Sequence, residues 1–137
     1  MKTTEVYTFA DIHNIMLVEF DMCDTKSLSC QTLKGDCHIA VDYAQLENSS
    51  EEKVLLAHEI GHCVTGAFYN RENILDVRGR HEYRANRWAV KKLIPWQQLQ
   101  EVLDIGIIEP WELAEYFEVT EDFMHTALKI YRCQGKL

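Results

Sequence analysis

Two histidines four residues apart, with a glutamate beside the first, are the side chains of this sequence best suited to chemistry. They lie in LLAHEIGHCVTG, residues 55–66, as His58, Glu59 and His62. Residues i and i+4 share one face of an α-helix, so both imidazoles can bind one ion at about 2.0–2.1 Å. Glu59 lies about 100° round the helix, where it can take a proton from a water that the ion activates. The pattern predicts zinc-dependent hydrolysis.

A catalytic zinc site needs a third protein ligand, and Glu82 is a candidate. Small residues at 85 and 89 would let a helix that carries Glu82 approach the histidine helix closely. Asn86, one turn after Glu82, could hydrogen-bond to a ligand and orient it. An acid at a helix N-terminus is also favoured by the helix dipole alone, and spacing leaves His81 and Asp76 as competing ligands.

The elements that must position these side chains follow from the hydrophobic spacing. Residues 6–20 predict a short amphipathic helix that runs into a strand. Short β-compatible runs around Gly35 predict a hairpin, with Cys37, Ile39 and Val41 on one face of its second strand. Strands early and helices late predict an α+β fold, with residues 1–137 forming a single domain.

The helices are expected to begin and end at recognisable signals. Ser49 and Glu52 form a capping box before the histidine helix, whose apolar residues extend to Phe68 on several sides. After a polar break at 70–80, a helix runs from 81 to Pro95, and another covers 96–105. Pro110 suits the first position of the next helix, and Thr120 begins a last helix through about Tyr131.

Composition and charge exclude several classes of protein. Hydrophobic residues make up 47% of the chain, and no apolar run approaches the ~18–20 residues of a membrane span. The N-terminus lacks the features of a signal peptide, which predicts a cytoplasmic protein. The net charge of −8 argues against non-specific binding to nucleic acid or anionic membranes.

The charges are unevenly distributed. Residues 71–92 hold seven of the 14 basic residues, whereas residues 101–122 hold eight acids and no base. The expectation is two solvated helix faces that attract each other.

The five cysteines are odd in number and include no Cys-x-x-Cys pair. In a reducing compartment they are expected to remain free thiols. Cys23, Cys30 and Cys37 follow one another at equal intervals of seven. We interpret them as half-buried packing residues, because structural zinc sites normally use four ligands at tight spacing.

An ordered set of motifs resembles the ImmA/IrrE family of metallopeptidases over about residues 50–128. These motifs are His58-Glu59-Ile60-Gly61-His62, Glu82-x-x-Ala85-Asn86-x-Trp88-Ala89, Leu93-Ile94-Pro95 and Glu112-Leu113-Ala114-Glu115-Tyr116-Phe117-x-Val119. The resemblance implies that Glu82 is the third zinc ligand and Glu59 the general base. It also implies a zincin-like domain with a small antiparallel sheet beside the active-site helix and helices at its C-terminal end.

The resemblance further implies a substrate, a helix-turn-helix repressor of a prophage, mobile element or stress operon. The partner would be a DNA-binding protein rather than DNA. The alternative is a non-catalytic anti-repressor that keeps the fold, which would be expected to lack Glu59 or a ligand. A zinc-stabilised structural domain is a third hypothesis, and it predicts unfolding when the metal is removed.

Three further features have open interpretations. Tyr83, His125 and Tyr131 are candidates to stabilise the oxyanion of a tetrahedral intermediate. The strand at 37–41 could bind an extended peptide along its edge, or it could belong to a plain core hairpin. Residues 112–131 resemble half of a helix-turn-helix, but their acids oppose DNA binding. We expect this segment to pack against the catalytic helices or to recognise the repressor.

Overall fold

The computed structural model describes residues 1–66 and 75–137, with the side chains of 75–78 outside the described set. Within these ranges the helices are α1 (Thr3–Ile12), α2 (Ser49–Thr65), α3 (Leu75–Leu93), α4 (Trp96–Asp104), α5 (Pro110–Phe117) and α6 (Glu121–Cys133). The strands are β1 (Met16–Glu19), β2 (Ser27–Gln31) and β3 (Cys37–Val41), and a single 3₁₀ turn covers Tyr43–Gln45. The expected α+β class is confirmed.

The three strands form one sheet in the order β1-β3-β2. The predicted hairpin is present, because β2 and β3 are antiparallel and turn at Gly35, whose φ is 91°. β1 pairs with β3 in parallel, so the sheet is mixed rather than purely antiparallel as expected. The chain crosses from β1 to the far edge before it returns through the middle, and local sequence carries no signal for such a crossover.

β3 is the central strand, so the expectation that a peptide pairs with its edge is wrong. Both of its edges are occupied, by β1 and β2. Its inward residues Cys37, Ile39 and Val41 are buried, as the alternation predicted, and they belong to the core that includes Leu56 and Ile60 of α2. The sheet therefore forms one wall of the core behind α2.

The expectation of five free thiols is also wrong, because Cys37 and Cys63 form a disulfide. Packing of β3 against α2 places their Cα atoms 5.7 Å apart, within the usual range for a disulfide. The two residues are 26 positions apart, so the spacing of cysteines along the chain gave no sign of the pair. Cys23 and Cys30 are exposed free thiols rather than half-buried ones.

α2 begins one residue earlier than the predicted capping box requires. The side chain of Asn48 accepts a hydrogen bond from the Glu51 amide at 2.9 Å and caps the helix. Glu52 is engaged elsewhere, because its carboxylate accepts a hydrogen bond from the Tyr7 hydroxyl. The helix ends at Gly66, whose φ is 65°, and the predicted continuation to Phe68 lies outside the described residues.

α3 starts at Leu75, several residues before the predicted start at 81, and ends before Pro95 as predicted. Gly79 lies within this first part of the helix, and a Cβ atom at this position would have no atom within 4 Å. The three C-terminal helices match their predicted starts. Pro110 is the first residue of α5, and the Thr120 side chain accepts a hydrogen bond from the Phe123 amide at 3.2 Å.

α4, α5 and α6 pack their apolar faces into the core, through residues such as Leu99, Leu113 and Met124. The segment that resembles half of a helix-turn-helix is thus a structural part of the domain. In the part of the chain with described side chains, no ion pair links the basic residues of 71–92 with the acids of 101–122. The expected attraction between those two faces is therefore not realised as direct contacts.

None of the helices within residues 1–66 and 75–137 combines the length and the apolar character needed to cross a membrane.

Candidate metal centre

α2 and α3 meet backbone to backbone at Gly61. A Cβ atom at this position would lie 2.6 Å from the carbonyl oxygen of Ala85, closer than real Cβ contacts. Ala85 and Ala89 of α3 are both fully buried, as expected if small residues let this helix approach α2 closely. Because the two helices touch so closely, side chains that flank the contact on α2 and α3 are brought within reach of one another.

The structure brings together His58 and His62 of α2 and Glu82 of α3. The Nε2 atoms of the two histidines are 3.1 Å apart. One oxygen of Glu82 lies 3.0 Å from Nε2 of His58, and the other lies 3.3 Å from Nε2 of His62. An ion with tetrahedral bonds of about 2.0–2.1 Å separates its ligand atoms by about 3.3 Å. The three side chains therefore already have the spacing of zinc ligands.

Asn86 fixes the orientation of His58. The amide oxygen of Asn86 lies 2.7 Å from Nδ1 of His58 and can only accept, so Nδ1 carries a proton. The other ring nitrogen, Nε2, is then the atom that points to His62 and Glu82. In a neutral imidazole with its proton on Nδ1, Nε2 is the nitrogen that can bind a divalent cation.

Glu82 is well suited to be an anionic ligand. Hydrogen bonds from His58 and then His62 hold the pKa of its carboxyl far below the usual range, against the opposing effect of burial. The carboxylate therefore remains ionised at neutral pH. Two imidazoles and one carboxylate form a donor set that zinc binds in many hydrolases, and it leaves a fourth position open.

Of the competing ligand candidates, His81 is not part of this group. Among the residues whose side chains are described, the cluster that could hold a metal consists of His58, His62 and Glu82. His81 precedes Glu82 on α3, and its Nδ1 is buried without a hydrogen-bond partner. The side chain of Asp76 lies outside the described residues.

Glu59, next to the first histidine, is buried, with 7% of its surface exposed. One of its carboxylate oxygens accepts a hydrogen bond from the hydroxyl of Ser27 at 2.8 Å. Ser27 is the first residue of the edge strand β2, 32 positions earlier in the chain. Sequence reasoning missed Ser27, because only the packing of β2 on α2 reveals the contact.

The three oxyanion candidates occupy different environments. Tyr131 is buried and donates a hydrogen bond to the carbonyl of Ile94 at 2.6 Å. This bond links α6 to the residue that follows α3. Burial also raises the pKa of Tyr131. His125 is exposed and lies 3.6 Å from Glu121 on α6. Tyr83 is exposed and directly follows Glu82 on α3. Of the three candidates it is therefore the one adjacent in sequence to a candidate ligand.

Comparison with known protein families agrees with this geometry. The family described as the IrrE N-terminal-like domain, a peptidase family, matches residues 39–129. The chain belongs to this family. The matched range begins within β3 and contains His58, Glu59, His62 and Glu82. No curated protein and no solved structure matches the chain significantly.

Membership of the IrrE N-terminal-like family confirms the ImmA/IrrE resemblance and gives the broad class of activity, a peptidase of metal-dependent type. The α+β architecture, with a small sheet and six helices in the described ranges, is compatible with the zincin-like fold expected for such a domain. The histidine and glutamate cluster on α2 and α3 is where this family member could hold its metal.

Proposed function

We propose that this protein is a zinc-dependent endopeptidase, with His58, His62 and Glu82 as the zinc ligands and Glu59 as the general base. One observation carries the proposal. The Nε2 atoms of His58 and His62 lie 3.1 Å apart, and each has one oxygen of Glu82 within 3.3 Å. The buried carboxylate of Glu59 lies on the same helix as the two histidines. The family match supports it, since the matched residues contain all four side chains.

When bound, zinc would act as a Lewis acid that polarises the scissile carbonyl and makes water a stronger nucleophile. Glu59 takes a proton from the attacking water and later gives it to the leaving amine, as the new C–O bond forms and the C–N bond breaks. Ser27 holds one oxygen of Glu59 and leaves the other oxygen for the proton. Asn86 keeps His58 in the tautomer that presents Nε2 to the centre.

The proposed substrate is a helix-turn-helix transcriptional repressor of a prophage, a mobile element or a stress operon, cleaved at a specific bond in the cytoplasm. Repressors of this kind carry a basic surface for DNA, which the net charge of −8 would attract. The alternative is a regulator that binds the repressor without cutting it. The presence of Glu59 beside a complete set of ligand candidates favours the peptidase.

The Glu59→Gln variant tests this proposal. It should retain the fold and bound zinc but cleave the repressor encoded beside its gene at least about 100-fold more slowly, because a general base contributes about 10²–10⁴ to the rate. Cleavage is followed by gel electrophoresis and mass spectrometry, with metal content measured on the same samples. Glu115→Gln, an exposed change on α5, is the matched control and should behave like the wild type.

Chelation separates the two hypotheses. A peptidase loses cleavage when zinc is removed and regains it when zinc is restored, whereas a non-catalytic regulator binds the intact repressor in both states. Normal cleavage by Glu59→Gln would rule out the proposed mechanism.

A further inference from the structure

A cleft opens directly beside the candidate metal centre. Its volume is about 610 Å³, and Ser27, His58 and Asn86 line one side of it. From there it extends along α2 to the N-terminal ends of α2 and α6. The charged side chains along this part of its wall are Lys26, Glu47, Glu51, Glu121 and Asp122. A peptide bound with its scissile bond at the centre has this cleft as a path for its neighbouring residues.

One of these carboxylates is already neutralised. Lys26 forms an ion pair with Glu51, and the second oxygen of Glu51 accepts a hydrogen bond from the Glu47 amide at 2.9 Å. The pKa of Glu51 is accordingly lowered, chiefly by the hydrogen bond from Lys26. The other three carboxylates have no Lys or Arg within 4.0 Å in the part of the chain with described side chains.

Glu121 lies 3.6 Å from His125 on the same helix, and both side chains are more than half exposed. A contact between two exposed side chains contributes little, so the carboxylate stays available to a ligand. Glu47, Glu121 and Asp122 thus present three negative charges to the cleft.

The N-termini of α2 and α6, which border the cleft, carry partial positive charge and so reduce its net negative charge. Each contributes a partial charge of about +0.5, so together they offset about one of the three carboxylates. An excess of about two negative charges remains. The cleft is therefore suited to cations even after the helix dipoles are taken into account.

The cleft also has an apolar part, formed by Val54 and Leu55 of α2, both of which are partly buried. The aliphatic stem of a lysine or arginine can lie on such a surface while its charged end reaches carboxylates at the rim. A small cation would gain nothing from these two residues, so the lining fits a basic side chain better than a free ion.

The distance from the centre follows from the length of α2. Glu51 and the cap residue Asn48 precede His58 by seven and ten positions, which at 1.5 Å per residue is about 10–15 Å. An extended peptide covers about 3.3 Å per residue. The acidic end of the cleft therefore lies about three to five substrate residues from the bond to be cut.

We propose that this cleft determines specificity by binding a lysine or arginine about three to five residues from the scissile bond. Glu47, Glu121 and Asp122 are the residues that would select it. The inference rests on the proposed peptidase function and adds to it the charge of the substrate segment that is recognised.

Binding of two labelled peptides to the zinc-loaded Glu59→Gln protein tests the inference without turnover. The peptides are identical except that one carries lysines, and the other glutamates, three to five residues on either side of a central Ala-Leu pair. Fluorescence anisotropy should show the lysine peptide binding about tenfold more tightly, as expected for two or three exposed ion pairs, and the difference should shrink in high salt.

Two double variants, each of which removes two negative charges, show which residues cause the preference for the lysine peptide. Glu121→Gln with Asp122→Asn should reduce the tenfold preference to about twofold or less. Glu101→Gln with Asp104→Asn, at exposed positions of α4 outside the cleft, should leave the preference unchanged. Equal or undetectable binding of the two peptides, or the same preference in both variants, would overturn the inference.

Failure of the proposed peptidase function would give a different set of results from failure of the inference about the cleft. If the zinc-loaded wild-type protein cuts neither the repressor nor the lysine peptide, while the preference in binding persists and depends on Glu121 and Asp122, the peptidase proposal fails and the charge selection stands. If the wild type cuts the repressor but shows no charge preference, only the inference about the cleft fails.

Discussion

At the scale of single residues, Glu59 is held in place by the hydroxyl of Ser27, at 2.8 Å. This contact joins the edge strand β2 to the helix that carries the candidate ligands. A carboxylate that must receive and return a proton works best when one oxygen is fixed and the other faces the substrate. Ser27 is therefore a positioning residue in this account, and its contribution can be measured separately from metal binding.

Ser27→Ala should lower kcat/KM for cleavage about tenfold, since a hydrogen bond to a charged group contributes about 1.5–3 kcal/mol and water can replace part of it. The loss should fall on kcat rather than on KM, and Ser27→Thr, which keeps the hydroxyl, should restore much of it. Zinc affinity should not change. Ser29→Ala, two residues along the same strand, is the matched control, and an equal loss in that variant would contradict the assigned role.

The residues of the candidate site differ in how far sequence could predict them. His58, Glu59 and His62 lie within one helical turn, so helix geometry alone places the two histidines together. Glu82 could be named only as one of three alternatives until the family resemblance was considered. Ser27 carried no signal at all, because a serine at the start of a strand is common and its partner lies 32 residues away.

At the scale of elements, the contact between α2 and α3 sets the distance between the histidines and Glu82. Gly61→Ala would place a methyl group 2.6 Å from the Ala85 carbonyl oxygen and force the two backbones apart. The free energy of unfolding should fall by about 1–3 kcal/mol, and zinc affinity should fall with it. Denaturant unfolding and zinc titration measure the two effects.

Gly79→Ala is the control for that substitution, in the partner helix α3. A Cβ at position 79 meets no atom within 4 Å, so alanine should stabilise the helix by about 0.4–1 kcal/mol. A Gly61→Ala protein as stable as Gly79→Ala, with unchanged zinc affinity, would show that close helix contact does not set the site.

Lys53 connects α2 to the end of α5. It is buried, with 2% of its surface exposed, and its Nζ donates a hydrogen bond to the Phe117 carbonyl at 2.7 Å. Burial lowers the pKa of Lys53 from its ordinary value of 10.5, although Glu118 and Glu5 oppose the shift. The native state therefore binds fewer protons at this site than the unfolded chain between the lowered pKa and pH 10.5.

It follows that the stability of the wild type relative to Lys53→Met should rise as pH increases through this alkaline window. Below the lowered pKa both states are protonated and the difference should be constant. Urea unfolding of the two proteins at several pH values measures it. A difference that falls with rising pH would mean that the lysine is stabilised, not penalised, in its charged form.

The secondary structure was predictable wherever a local signal decides it. Pro95, Pro110 and Thr120 mark helix boundaries through backbone chemistry that acts within a few residues. The prediction was wrong at the start of α2, where Asn48 caps the helix in place of Ser49. Both residue types are good caps, and Glu52, which the predicted capping box requires, is bound instead to Tyr7 of a distant helix.

At the scale of the whole molecule, the features that sequence did not predict are long-range pairings. The Cys37–Cys63 disulfide and the parallel pairing of Leu17 with Ile39 both join parts of the chain more than 20 positions apart. Such pairings depend on how the sheet and α2 share one core, and that arrangement leaves no periodic pattern in the sequence. The family resemblance predicted the general architecture but neither of these details.

The same core explains why the metal is not expected to hold the fold together. Within the described residues, buried side chains of α1, β3 and helices α2 to α6 form one hydrophobic cluster, whereas His58 and Glu82 are only partly buried. Removing zinc should therefore abolish cleavage with only a modest drop in melting temperature, unlike the unfolding seen in zinc-stabilised domains.

Zinc titration by calorimetry, on the wild type and three alanine variants, tests most directly whether His58, His62 and Glu82 bind zinc. The folded wild type should bind one zinc ion per chain. The His62→Ala and Glu82→Ala variants should lose this binding, while His81→Ala, one residue from Glu82, should retain it. A folded wild type that binds no zinc, or one whose binding survives the loss of His62 or Glu82, would contradict the account.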